Sequence, residues 1–119
     1  MRWLFSIAVT AACHLLLGWA WGVAGGILAG WLWTTGGWWR GAVVVGSVWA
    51  GLTSYTVAVA TGPAMELHRI LAGVSGLVPS FAVPLIIVAV GFLIGLSGGL
   101  VGSGLRKLVR PVAAPTAAA

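Results

Sequence analysis

Glycine recurs every fourth residue in two apolar stretches, at Gly18, Gly22, Gly26 and Gly30 and again at Gly91, Gly95 and Gly99. In water, each such glycine weakens a helix by roughly 1 kcal/mol relative to alanine. In a bilayer the backbone finds no better hydrogen-bonding arrangement than a helix, so glycine is tolerated there. A four-residue period lays a groove along one helix face, into which a second backbone fits closely. The chain reads as one built for helix-to-helix contact inside a membrane, with these seven glycines as the packing interface.

The charge count points the same way. Of 119 residues, 61% are hydrophobic and 6% charged, against about 25% charged in a typical soluble domain. One acid, Glu66, faces six bases, giving a formal charge of +5. The bases sit at segment ends and form no patch, which speaks against nucleic acid as a partner and for the positive-inside rule. Cys13 is the single cysteine, so no intrachain disulfide forms. The stretch from Met1 to Cys13 has the charged-then-apolar form of a signal segment. However, Thr10 stands three residues before Cys13, where lipoprotein signals carry an aliphatic, and the apolar run continues well past Cys13. We read it as a retained transmembrane helix.

Residues 3–35 are apolar almost throughout. As one helix they would extend about 48 Å at 1.5 Å per residue, against a hydrocarbon core of about 30 Å. The stretch is either one long tilted helix or a hairpin of two short ones. The hairpin is the favoured reading, with spans near 3–18 and 21–36 and a turn around Gly18–Gly22. Thr34 to Arg40 forms a boundary with paired glycines, paired tryptophans and a charge. A third span is predicted over 40–61 and a fourth over 81–105. Between them, residues 63–73 place Leu67, Ile70, Leu71 and Val74 on one helical stripe, away from Glu66, His68 and Arg69. This segment is too short to span and is predicted to lie in the interface. Residues 111–119 have no periodicity and are expected to be a mobile tail. The expected fold is thus all-α: a single polytopic domain over 1–110 with four transmembrane helices and one interfacial helix.

Four spans put Arg2, Arg40, Arg106, Lys107 and Arg110 on one side and only Arg69 on the other. Both termini are then cytoplasmic, in a bacterial inner membrane. A three-span chain would separate Arg2 from Arg40. Seven of the eight tryptophans fall near predicted span ends and read as lipid anchors.

His14 lies within the first predicted span, and intramembrane ionisable residues count as functional candidates. Its bland role is a hydrogen bond to a neighbouring backbone or hydroxyl group. Its sharper role is ligation of haem iron or a chlorophyll magnesium. Glu66, His68 and Arg69 are expected to face solvent, headgroups or a partner, with Glu66 and Arg69 paired at i, i+3. No nucleophile–base–acid set, metal-ligand spacing or phosphate-binding loop is found, so enzymatic activity is not expected.

The segment His14-Leu15-Leu16-Leu17-Gly18-Trp19-Ala20-Trp21 resembles the pigment-binding helix of bacterial light-harvesting polypeptides, which implies bacteriochlorophyll or haem near His14. The layout as a whole, with Trp38-Trp39-Arg40-Gly41 opening one span and Leu105-Arg106-Lys107-Leu108 closing the last, resembles small uncharacterised four-helix bacterial membrane proteins. That resemblance implies a fold but no activity. The function expected first is a non-catalytic transmembrane subunit of a respiratory or photosynthetic complex, whose partners are other transmembrane subunits and lipids. The alternatives are a homo-oligomeric small transporter or channel, or a pigment- or haem-binding protein acting through His14.

Overall fold

The computed structural model describes residues 1–109; the expected tail and Arg110 lie outside the described residues. The described chain is helical, with five α-helices: α1 (Arg2–Leu17), α2 (Gly22–Leu32), α3 (Gly37–Val59), α4 (Thr61–Ser75) and α5 (Val83–Val109). Single 3-10 turns occupy Trp19–Trp21 and Ser80–Ala82. Two segments, Gly37–Val59 and Ser80–Val109, are long and apolar enough to cross a membrane by length and composition.

The first apolar stretch is two helices, and Gly18 is what divides them. Its φ of +101° lies in a region that side-chain-bearing residues avoid, and its N–H closes α1 on the carbonyl of His14 at 3.2 Å. The chain then reverses through Trp19–Trp21 into α2. That helix stops at Leu32, earlier than the 36 expected, because Trp33 turns extended. Gly36, at φ +64°, starts α3. Pro84 sits in the first turn of α5, where its missing N–H costs no helical bond.

At 1.5 Å per residue, α3 and α5 extend about 35 and 40 Å, whereas α1 and α2 extend only about 24 and 16 Å. The hairpin therefore covers part of the α3–α5 pair. Its tip, at Trp19, lies beside Leu52, Thr53 and Thr56, short of the end of α3. Below the tip, α4 bends away at Ala60 and places Ala64 and His68 against the same end of α3 and α5.

The centre is built from α2, α3 and α5. Its fully buried side chains are small: Ala29, Val44 and Val45, with Ser6 and Thr10 contributed by α1. Larger apolar side chains point outward, with Leu16 81% and Val74 83% exposed.

Candidate functional site

Removal of the side chain lets three backbones approach closely. A Cβ on Gly26 would lie 2.9 Å from the carbonyl oxygen of Gly95. One on Gly41 would lie 2.5 Å from that same oxygen, and one on Gly37 would lie 2.6 Å from the carbonyl oxygen of Gly30. Gly30 itself faces the carbonyl of Gly99. Real Cβ atoms do not approach backbone so closely, so glycine at these positions is what permits the packing. The seam is closed inside the chain: α5 inserts its glycine face between α2 and α3.

Six of the seven expected interface glycines are buried here. Gly22 lies against Trp49 and Val45, Gly91 against the Trp49 ring, and Gly26, Gly30, Gly95 and Gly99 against backbone. Gly18 is the exception. A Cβ there would meet nothing within 4 Å, because the residue is the exposed break after α1 rather than part of a helix face. The strict four-residue period also misses Gly25, Gly37, Gly41, Gly98 and Gly102, all buried at contacts. A helix turns every 3.6 residues, so a face is held by alternating steps of three and four. Gly95, Gly98, Gly99 and Gly102 follow that alternation, and it is readable in the sequence.

Apart from Gly18, the two glycine ladders are consumed within this one chain. The outward small residues of α3, among them Gly51, Ser54 and Ala58, face open space.

His14 stands on the inner side of α1 near the hairpin tip. Its ring meets Trp49 edge-on, with centroids 5.4 Å apart. Its Nδ1 and the Trp49 Nε1 are both buried without a hydrogen-bond acceptor or donor opposite. The expected hydrogen bond to a neighbouring backbone or hydroxyl is thus not made through Nδ1.

His68 corrects an expectation. Grouped by sequence with the outward-facing polar residues, it is 6% exposed. It follows Ala64 by four residues, so both lie on the stripe of α4 that faces Thr53, Val57 and Ile87. Leu67, Ile70, Leu71 and Val74 face outward. Glu66 and Arg69 do face out, and pair at 3.5 Å. The hollows beside His14 and His68 share Thr53, Thr56 and Ile87, so the two imidazoles flank one stretch of the α3–α5 surface.

The opposite end of the bundle gathers aromatic and basic groups. Trp3 packs on Trp33 at 4.9 Å and lies 6.3 Å from Trp39. The Arg40 guanidinium sits over both Trp33 and Trp39, at 5.5 and 5.3 Å, and donates from Nη1 to the carbonyl of Thr35 at 2.9 Å. Arg106 donates to the carbonyl of Trp31 at 3.0 Å, joining the end of α5 to the end of α2. Arg2, Arg40, Arg106 and Lys107 thus share one end, while Glu66 and Arg69 lie on α4. No family model matches the chain, and no match was found among curated proteins or solved structures.

Proposed function

We propose that the chain is an integral membrane protein and acts as a non-catalytic subunit, packing against and stabilising a larger membrane complex. The observation that carries the membrane part is the inverted distribution of side chains. Within the apolar windows of α3 and α5, only 28% and 22% of residues are buried. A soluble protein's core helix would be mostly enclosed. Here glycine, alanine and valine fill most of the inside, with Ser6, Thr10 and Trp33, while leucine, isoleucine and most of the tryptophans cover the outside, an apolar surface far larger than a water-soluble monomer exposes.

In this reading α3 and α5 cross the bilayer fully. The shorter α1–α2 hairpin enters from the basic end, and α4 lies near the other face with its leucine stripe toward lipid. The grouping of Arg2, Arg40, Arg106 and Lys107 supports a cytoplasmic basic end and cytoplasmic termini, the bacterial inner membrane being the setting the sequence favours. Several hydroxyl groups along the bundle are engaged by their own helices, while the buried Ser6 Oγ has no partner. Thr10 donates to Ser6, Thr56 to Leu52, Ser97 to Ile94 and Ser103 to Leu100, each through the carbonyl oxygen. This favours packing over conduction. With the glycine seam closed, the surface offered to a partner is the ridged leucine- and tryptophan-rich exterior.

Gentle detergent extraction and native electrophoresis test the reading. The expected outcome is co-migration with larger subunits. A small colourless homo-oligomer would overturn the subunit assignment in favour of a transporter. A haem or bacteriochlorophyll spectrum in the isolated chain would shift the function to His14.

A further inference from the structure

Two hollows adjoin on the α3–α5 surface, one under the hairpin tip and one under α4. The first, about 250 Å³, is bordered by His14, Trp19 and Trp49. The second, about 160 Å³, is bordered by Ala64, Leu67 and His68 of α4 and by Val57 of α3. Both are lined by Thr53, Thr56 and Ile87, so they lie side by side with one imidazole in each. Their rims reach the outer surface at the exposed Trp19 and Leu67.

Neither imidazole is hydrogen-bonded within the chain. His68 is buried, and among the described residues its ring, the His14 ring and the Thr53 hydroxyl have no hydrogen-bond partner. The Nδ1 atom of His14 is sealed off, which leaves Nε2 as the nitrogen available to the hollow. Polar groups withdrawn from water without a hydrogen bond are costly, and two such rings beside one recess call for an outside ligand. No charged side chain lines either hollow, and Arg69, next to His68 in sequence, is exposed and paired with Glu66. The ligand is therefore uncharged. A neutral imidazole offers one N–H and one lone pair, so it donates to a carbonyl or accepts from a hydroxyl. A flat apolar ring with oxygen at two opposite edges meets each of these conditions.

We infer that the adjoining hollows bind the ring of a quinone or quinol, with one oxygen at Nε2 of His14 and the other at the His68 imidazole. Trp19, Trp49 and Ile87 supply the apolar walls that such a ring needs, in the usual pattern of a mostly apolar pocket with a few placed polar groups. A hydrocarbon tail leaves past Leu67. A porphyrin is a poorer match, because its carboxylates find no base among the lining residues. The inference rests on the membrane reading above, which puts lipid and its dissolved quinones at the rim, but not on the subunit role.

The test uses the full chain purified in detergent and titrated with duroquinone, with quenching of tryptophan emission as the readout, since Trp19 and Trp49 border the site. Durene, the same ring without oxygens, is the competitor. Quenching by duroquinone should saturate, and excess durene should not reverse it. His14→Leu and His68→Leu place apolar side chains in apolar surroundings. Each should keep the helical circular dichroism spectrum and weaken duroquinone about tenfold, the loss of one hydrogen bond. His68→Gln, which keeps an N–H donor, should recover part of that loss, and Arg69→Gln should leave binding unchanged. Quenching that never saturates, reversal by durene, or wild-type affinity in either folded leucine variant overturns the site. The durene comparison on the unaltered chain decides the matter where a leucine variant fails to fold. A haem absorption band in the purified chain overturns it in favour of a porphyrin. Failure to bind by a chain that needs detergent overturns the site alone, whereas histidine-dependent binding by a chain soluble without detergent keeps the site and overturns the membrane reading.

Discussion

Glycine means one thing in the α2–α3–α5 trio and another along α4 and the outer face of α3. In the trio, Gly95 presses on Gly41 and Ala42, and Gly99 on Gly37 and Trp38. At the periphery, Gly51, Gly62 and Gly73 have nothing within 4 Å of where a side chain would begin. The residue type and the apolar setting are the same, so the difference lies wholly in whether a backbone stands opposite. The trio is a rigid unit because its contacts are backbone on backbone and cannot relax by changing a rotamer. The sharpest attempt to break this contrast is Gly95→Ala. Its Cβ would strike the Gly41 carbonyl and the Ala42 backbone, so α5 must shift, at a cost of about 3 kcal/mol. Gly73→Ala, with the same added methyl, should be neutral or stabilising by up to about 1 kcal/mol. Unfolding in sodium dodecyl sulfate, followed by circular dichroism, separates the two. Equal effects would dissolve the distinction.

An intermediate case lies where α1 meets the trio. A Cβ on Gly25 would land on the side chain of Thr10, which is fully buried and donates to the Ser6 carbonyl at 2.7 Å. Here the obstacle is a side chain, so the clash can be relieved. Gly25→Ala should destabilise by about 1–2 kcal/mol. Thr10→Ala in the same chain should recover only part of that, because the Thr10 Cβ itself would lie 2.6 Å from the added methyl, giving a favourable coupling energy of about 0.5 kcal/mol in a double-mutant cycle. Simple addition of the two effects would mean that α1 is seated some other way.

Much of this was legible because composition and period constrain so strongly. The helical class follows from the long apolar runs, and the break at Gly18 from paired glycines and tryptophans around it. What the sequence hid was rotation. A four-residue count assigns Gly18 to the seam, although it is the break after α1 and lies on no helix face. Because each step of four turns a helix about 40° beyond a full turn, the same count passes over Gly98 and Gly102, which share the buried face of Gly95 and Gly99. His68 was misplaced for a related reason. Polar residues on a short amphipathic helix are expected to share the outward face, yet α4 turns its leucines out and its imidazole in. That choice fits the membrane reading proposed above, and a single helix cannot reveal it. Arg40 was readable as an interface marker, but its two indole neighbours, Trp33 at the end of α2 and Trp39 in the first turn of α3, required the fold.

Arg40 provides the next contrast, between the aromatic end and the seam. Its guanidinium is held between ring faces of Trp33 and Trp39 and by the Thr35 carbonyl. Trp33 is only 8% exposed, so the Trp33 contact lies partly away from solvent. Arg40→Gln should cost about 1 kcal/mol and alter tryptophan emission, because two indoles lose their cation. The seam variants should leave emission from this end largely unchanged until the protein unfolds. A spectrum unchanged in Arg40→Gln would detach the cation from the ring cluster.

The smallest effect belongs to the only ion pair among the described residues. Glu66 and Arg69 approach to 3.5 Å at i, i+3 on α4, with side chains 56% and 77% exposed. Water and salt screen such a pair, and ordering two long side chains offsets the Coulomb gain, so Glu66→Gln should change stability by about 0.3 kcal/mol or less. Any measured loss should shrink further as ionic strength rises, because the Debye length falls to about 8 Å at 0.15 M. A loss above 1 kcal/mol that persists in high salt would mean that the α4 surface is covered in the working protein, with Glu66 engaged by something outside this chain. The weakest contact in the isolated molecule is thus the most sensitive place to detect a partner, since only a covered carboxylate could make its removal costly.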